Sequence, residues 1–451
     1  MYCTMMKSTA AAAARAVAGF ARYRRPSLIT ALAFITSGDS ACGSAAAFHA
    51  EASRKRPPHV GVINMSPTAA AGGSAPSSEQ GGPLETLCKA TLEACEALTP
   101  TISSLYESIN SSDSKKGAKT KADNSAFTIA DGLVQHLLIE ELLDGVVGNI
   151  VGEEECVVNL NTEPYTVDDL EIPAELIDLI EEAKSQVANA KKRHLGSRSA
   201  QGDTYQTLTA FLDPIDGTRE FSTGMGEQCS ICVGFSDASG MPVAGVVFRP
   251  LSNPHPTWAI GAEGYTASRL NFASEEERGR AGLLTSNGSI SPFIEELMRE
   301  LDCPRTPSGG AGNKMLMLLE GHGQAYIQDR GVSRWDTAAA QAVIEAHGGI
   351  LCKLSIMLND EGKEESYAYL RSSTNVDFVA NEATLTKYNA AAGVGDVSEA
   401  IRMAMNAAEV KPYANLCGLF AIGAVENTKT RKADLLAAIK KAAKFSPPSF
   451  D

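Results

Sequence analysis

The run Phe211-Leu212-Asp213-Pro214-Ile215-Asp216-Gly217-Thr218 places two carboxylates three residues apart with a backbone carbonyl between them. The apolar residues before it read as a strand that ends at Asp213, because Pro214 has no N–H with which to pair onward. Oxygens held on such a turn suit a hard cation such as magnesium. Gly217 and Thr218 open the next element, where backbone N–H groups without helical partners can receive a phosphate. Two further acidic points share this character. Val151-Gly152-Glu153-Glu154 follows an apolar strand and puts paired carboxylates at a second strand end, and Trp335-Asp336 begins an alanine-rich helix. Taken singly, the first run is also an Asp-rich surface turn, and the last aspartate is also an N-cap.

The rest of the composition narrows the choice. The chain has 451 residues, enough for one large or two medium domains, with 44% hydrophobic and 21% charged residues. Its net charge of −14 disfavours a sequence-independent grip on a nucleic acid polymer or an anionic membrane. An acidic protein that handles anions must recruit cations to do so. The ten cysteines have no framework spacing; Cys229 and Cys232 form a CxxC inside a strand-like run, where residues three apart face opposite sides. The seven histidines show no paired ligand spacing, which disfavours zinc.

Residues 1–60 read as a targeting presequence. Up to residue 38 they carry Lys7, Arg15, Arg22, Arg24 and Arg25 with no acid, then a short apolar run and Ala47-Phe48. That arrangement resembles the bipartite presequences of complex plastids, so an organelle is expected, a plastid ahead of a mitochondrion, with a cytoplasmic location left open. Residues 61–82 are a flexible linker by composition. Helical spacing starts at Pro83, and a polar loop separates that helix from Thr128-Ile129-Ala130-Asp131, where Asp131 falls in a first helical turn. Residues 160–206 read as a helical insertion plus a surface loop rather than core. Strand-like runs follow at 207–212, 228–236 and 242–249, and helices alternate with strands beyond 280. The pattern predicts a mixed α/β chain: an α+β half over 83–270 carrying the metal site, an α/β half over 271–410, and a C-terminal extension over 411–451 without an assigned role.

Five motifs in this order, TIAD (128–131), VGEE (151–154), DPIDGT (213–218), GGAGNK (309–314) and WD (335–336), resemble the lithium-sensitive, magnesium-dependent phosphatases of the inositol monophosphatase superfamily. The resemblance runs from about Pro83 to about residue 395. It implies a layered αβαβα sandwich and a phosphatase using two or three magnesium ions. Glu153, Asp213 and the Ile215 carbonyl would hold one ion, and Asp213, Asp216 and Asp336 a second. Asp131 with Glu153 would place a further ion or its water, Asp131 and Thr218 would activate the attacking water, and Glu154 would stand behind the ligands. Dimers are common in the family, which makes a homodimer the oligomer to look for.

Within that superfamily the chain is most similar to the 3'(2'),5'-bisphosphate nucleotidases. DPIDGTREFSTG follows their pattern, and SGGAGNK resembles the loop in which the second glycine and the lysine, here Gly310 and Lys314, touch the nucleotide. Gly217 and Thr218 would receive phosphate. Where the branch has a threonine and a histidine three residues on, this chain has Ser286 and Ser289, a departure at the adenosine contact. The expected substrate is a small phosphorylated metabolite, 3'-phosphoadenosine 5'-phosphate hydrolysed to AMP. The alternatives are an inositol polyphosphate 1-phosphatase and a non-catalytic cation-binding protein of the same fold.

Overall fold

The computed structural model describes residues 82–111, 118–120, 126–196, 204–373, 376–379, 396–406 and 410–450. The presequence expected over 1–60 and all but the last residue of the linker lie outside them. Pro83 occupies the first turn of α1 (Pro83–Asn110), where its missing N–H costs nothing, and Leu87, Cys88, Cys95 and Leu98 bury one face of that helix. A short hairpin, β1 (Ala118–Thr120) and β2 (Ala126–Thr128), delivers the chain to α2 (Ile129–Leu137), which continues as a π-helical turn over Leu138–Leu143. Then come β3 (Asn149–Gly152), a small sheet of β4 (Val158–Asn159), β5 (Thr166–Val167) and β6 (Leu170–Glu171), and α3 (Ile177–Leu195). Helix α3 packs on α1 and buries Ile180, Ala183, Val187 and Leu195 in the first core. The helical part of the insertion expected at 160–206 therefore contributes to the core rather than standing outside it, because its apolar residues recur at helical spacing beneath a charged outer face, while residues 197–203 of the expected loop lie outside the described residues.

The next stretch builds the central sheet: β7 (Thr209–Asp216), the single turn α4 (Thr218–Ser222), β8 (Ser230–Ser236), β9 (Pro242–Arg249), β10 (Thr257–Ala262) and β11 (Tyr265–Arg269). Its strand order is β11-β10-β9-β8-β7-β3, with β3 parallel to β7 and the other pairs antiparallel. Strand β7 does not stop at Asp213 as Pro214 suggested. Asp213 pairs with Cys232 and Asp216 with Ser230, so Pro214 and Ile215 sit in a bulge that absorbs the missing N–H. The bulge keeps both aspartates on a strand.

The second half runs α5 (Glu275–Arg280), β12 (Gly282–Thr285), α6 (Pro292–Leu301), β13 (Arg305–Pro307), α7 (Ala311–Glu320), β14 (Gly323–Gln328), β15 (Val332–Ser333), α8 (Arg334–Ala346), β16 (Ile350–Lys353) and α9 (Leu354–Asn359). It ends with β17 (Asp377–Phe378), α10 (Val397–Asn406), β18 (Ala414–Leu416), β19 (Leu419–Ile422) and α11 (Lys429–Phe445). The second sheet has the order β13-β12-β14-β19-β16. Strand β19 thus sits between β14 and β16, and α11 buries Leu435, Ile439 and Ala442 in the core beneath. The residues expected to form an extension over 411–451 are a central strand and a covering helix of this half.

Helices α1 and α2 cover one face of the first sheet, α7 and α8 lie between the sheets, and α6 with α11 cover the far face of the second. The result is the five-layer αβαβα sandwich that the resemblance implied. A row of glycines sets the contact between the first sheet and α8. Gly234 pairs with Gly245 and Gly245 with Gly261, forming a trough across β8, β9 and β10. A Cβ on Gly234 would stand 2.3 Å from the Ala339 nitrogen, and one on Gly261 2.4 Å from the Ala342 carbonyl. The alanine-rich helix fits this trough because both surfaces lack bulk.

Two outcomes are expected. A chain truncated after residue 410 loses β19 and shows no cooperative thermal transition, whereas an independent extension would leave the melt intact. Gly234→Ala forces helix and sheet apart and lowers stability in urea by roughly 1–3 kcal/mol, the cost of overpacking.

Candidate functional site

Each acidic motif reaches one place by a different element. Asp131 is the third residue of α2, and its Oδ2 accepts the Thr128 N–H at 2.8 Å and the Thr128 hydroxyl at 2.5 Å. Glu153 follows β3, and its N–H continues the parallel ladder by donating to the Leu212 carbonyl at 3.0 Å. Asp213 and Asp216 flank the bulge of β7. Asp336 is the third residue of α8 rather than its N-cap; Ser333 caps the helix and donates its N–H to Asp336 Oδ2 at 2.8 Å. Capping boxes thus set two of the five carboxylates, using the backbone donors left over at a helix start.

Glu153, Asp213 and Asp336 bring one oxygen each within 4.8 Å of one another. Asp213 Oδ1 is buried and has no hydrogen-bond partner. Asp216 lines the same cavity but is held differently. Ala311 N–H donates to its Oδ1 at 2.9 Å, Gly312 N–H to its Oδ2 at 2.6 Å and Ser230 Oγ to Oδ2 at 3.0 Å. The carboxylate therefore caps α7, and Gly310 at φ 60° supplies the turn before it, with no room for a Cβ beside Asp216 Oδ2 and the Gln228 carbonyl.

Thr218 Oγ1 lies 2.9 Å from Asp131 Oδ1 and 3.1 Å from the Ile215 carbonyl. The expected hydroxyl–carboxylate pair is in contact. One open cavity of about 240 Å³ is lined by Glu153, Asp213, Ile215, Asp216, Gly217, Thr218, Gly310, Lys314 and Asp336. Lys314 is buried on α7; its Nζ donates to the Ser308 carbonyl at 3.2 Å and stands 4.9 Å from the Tyr326 ring centre. Ser286 and Ser289 are exposed and do not line this cavity. Glu154 is not among the residues lining this cavity; its backbone is clamped by the Gln135 side chain, which accepts its N–H at 3.0 Å and donates to its carbonyl at 2.6 Å.

Several residues here carry no motif. Gln135 stands one helical turn beyond Asp131, and that spacing alone could have flagged it. Asn287 donates to Glu220 Oε1 at 2.9 Å and to Gln228 Oε1 at 2.7 Å, and Gly309 N–H donates to the same Gln228 oxygen at 2.8 Å. This knot holds the glycine loop against α4. Tyr326 and Gln328 add wall to the cavity. Cys229 and Cys232 are buried free thiols in different core clusters, matching the buried strand thiols that their spacing predicted.

Burial is the dominant force on the protons of this site. It pushes Asp131 up to about 6 against the Thr128 hydrogen bonds, and Glu153 adds repulsion. Asp213 is raised well above the usual carboxylate range by burial, then by Glu153, Asp216 and Asp336. Asp336 is raised to about 8 by burial, then by Glu153 and Asp216, with Lys411 opposing. Lys411 belongs to the region without an assigned role and is brought near by the pairing of β18 with β15. Burial lowers Lys314 to about 8 against the pull of Asp216, Glu220 and Asp336. An arrangement of acids that resist ionisation, one with an unsatisfied oxygen, lacks positive charge.

A model of the inositol monophosphatase family matches residues 84–391, more than half of the chain. The chain belongs to the inositol monophosphatase family. Over 198 residues it is 28% identical to the mouse protein 3'(2'),5'-bisphosphate nucleotidase 1, covering 41% of this chain and 64% of the relative. Over 309 residues it is 23% identical to inositol monophosphatase 3 of Xenopus laevis, covering 66% and 81%. Among solved structures, a Pyrococcus horikoshii protein with similarities to inositol-1 monophosphatase aligns with 13% identity and a TM-score of 0.44, over 79% of this chain and 98% of that one. The chain thus spans less than two thirds of the mouse nucleotidase.

The raised carboxyls fix a pH dependence. Each holds its proton more tightly folded than unfolded, so the metal-free protein loses stability as pH rises from about 4, where unfolded carboxyls ionise, to about 8. Its Tm should fall across that window, and magnesium should raise Tm more at pH 8 than at pH 5. A magnesium shift of equal size at both pH values would contradict this.

Proposed function

We propose that the chain is a divalent-metal-dependent phosphomonoesterase that removes one phosphate from a small, multiply phosphorylated metabolite. The leading reaction is 3'-phosphoadenosine 5'-phosphate to AMP. The observation that carries the reading is the 2.9 Å contact of Thr218 Oγ1 with Asp131 Oδ1, beside the group of Glu153, Asp213 and Asp336. A protein that only held cations has no use for a hydroxyl joined to a buried carboxylate. That sets aside the non-catalytic alternative.

The donor set fits magnesium: three carboxylates with no sulfur or nitrogen among them, and a buried Asp213 oxygen without a partner. Glu153, Asp213 and the Ile215 carbonyl would hold one ion and Asp213, Asp216 and Asp336 a second, with the oxygens of Glu153, Asp213 and Asp336 close enough to share an ion, and Asp131 with Glu153 would place a third or its water. Bound magnesium supplies positive charge against the phosphoryl group and acidifies water. Thr218 Oγ1 accepts a hydrogen bond from the attacking water while its own proton lies towards Asp131 Oδ1. As the water oxygen bonds to phosphorus, its proton passes to Thr218 Oγ1 and the threonine proton to Asp131 Oδ1. The ester P–O bond breaks, and its electrons leave with the sugar oxygen, which takes a proton from solvent. Burial makes the Asp131 carboxylate more basic than an exposed one, which favours its receiving that proton. Thr128 keeps the carboxylate turned by occupying Oδ2.

The nucleotidase reading is supported by the mouse relative and by Gly310 and Lys314 standing in the carboxylate cavity. Ser286 can make the hydrogen bond of the branch's threonine but Ser289 cannot replace its imidazole, which keeps 1-dephosphorylation of inositol bis- or trisphosphates as the second reading. An organellar site, plastid ahead of mitochondrion, is proposed from the leader alone; among the described residues no helix is long and apolar enough to cross a membrane.

Phosphate release should be measured from 3'-phosphoadenosine 5'-phosphate, an inositol bisphosphate and inositol monophosphate, with and without magnesium and lithium. The nucleotide should turn over fastest, and chelation should abolish it; full activity after exhaustive chelation sinks the reading. Asp213→Asn should lower kcat by about 100–1000-fold, the scale of a lost electrostatic catalytic contact, while raising the Tm of the metal-free protein by removing a buried repulsion.

A further inference from the structure

The cavity holds one cation among its lining residues, and that cation is already engaged. The Lys314 ammonium is buried, bonded to the Ser308 carbonyl and seated over Tyr326. Metal charge at Glu153, Asp213 and Asp336 balances those carboxylates and the phosphate being transferred. A substrate with a second phosphate brings about two further negative charges at neutral pH, and nothing lining the cavity is left to meet them.

Arg219, beside the site, is uncommitted among the described residues. Arg219 directly follows Thr218, so its Cα stands about 3.8 Å from that of the residue touching Asp131. It is exposed, while its neighbour Glu220 turns inward and accepts from Asn287. Its guanidinium reaches the segment after β12: a Cβ on Gly288 would lie 3.7 Å from Arg219 Nη1. Among the described residues it has no acceptor for its five N–H donors. The other arginine on this segment is different. Arg305 donates to the Thr285 hydroxyl at 2.9 Å and to the Ser286 and Gly288 carbonyls at 2.7 and 2.6 Å, so it braces the segment and has little left to offer.

We propose that Arg219 is a specificity-determining residue that binds the second, non-transferred phosphate of the substrate. A guanidinium presents parallel donors that match two phosphate oxygens, and it stays charged at every working pH. Placed one residue from Thr218 and against Gly288, it can grip an anionic group carried on the same small molecule whose other phosphate lies at the carboxylates. Glycine at 288 leaves the guanidinium the space to do so. The inference rests on the phosphatase reading above and adds the basis for preferring doubly over singly phosphorylated substrates.

The experiment compares kcat/KM for adenosine 3',5'-bisphosphate and adenosine 3'-monophosphate, two probes that differ only in the second phosphate. Wild type should prefer the bisphosphate. Arg219→Gln should shrink that preference by about 10–100-fold, mainly through KM for the bisphosphate, the scale of one lost charge-assisted contact. Arg219→Lys should restore part of it, because charge returns without the paired donors. If Arg219→Gln slows both nucleotides by the same factor, or changes neither, or if wild type does not discriminate between them, the inference is overturned and the phosphatase reading stands. If wild type releases phosphate from neither, the nucleotidase reading itself fails and takes the inference with it.

Discussion

Three carboxylates held within 4.8 Å of one another, Asp213 buried and the other two half-buried, repel, and the surrounding structure resists that repulsion. Asp213 and Asp336 make no ion pair with lysine or arginine among the described residues, and one Asp213 oxygen has no hydrogen-bond partner. Each of the three is fixed by backbone: Glu153 by a parallel ladder, Asp213 by the strand before a bulge, Asp336 by a capping box. Backbone donors hold an acid in place without cancelling its charge as a lysine would. The site therefore keeps its demand for external positive charge, and the rest of the architecture serves to bring these anchors together.

Bringing them together requires close approach of helix and sheet. Asp213 and Asp216 lie on the first sheet and Asp336 on α8, so their spacing depends on how near α8 can come. The glycine trough of Gly234, Gly245 and Gly261 under Ala338, Ala339 and Ala342 settles that distance. On the other side, the start of α7 is tied to the same strand by two N–H groups on Asp216, and Arg249 of β9 is buried in a bridge to Glu320 at the far end of α7. Helix α7 is thus pinned at both ends to the first sheet while it packs on the second. Lys314 and Gly310 inherit their positions from that double attachment.

The second half closes the arrangement through its last strand. β19 enters the middle of the sheet, and β18 pairs with β15 just before Asp336, so residues late in the chain support an acid more than seventy positions earlier. Long-range antiparallel pairing of this kind leaves no local mark in a sequence. The tail therefore looked like an appendage, with helix α11 appearing as a basic amphipathic segment that had nothing to cover.

What the amino-acid sequence settled alone is the set of local devices: the strand into Asp213, the first-turn position of Asp131, the helix start at Trp335-Asp336, the glycine loop ahead of Lys314, and through their order the family. These depend on neighbours within a few residues, where proline, glycine and capping chemistry act. What only the tertiary structure decided is which oxygens share a cavity and which are otherwise employed. Asp216 lines the cavity while also receiving the N–H groups at the start of α7, Ser286 and Ser289 stand outside the cavity lining, and one face of α3 packs in the core. Those outcomes turn on the distance between two sheets and on a strand arriving from the far end of the chain, and distances of that kind are fixed by packing rather than by any residue's own preference.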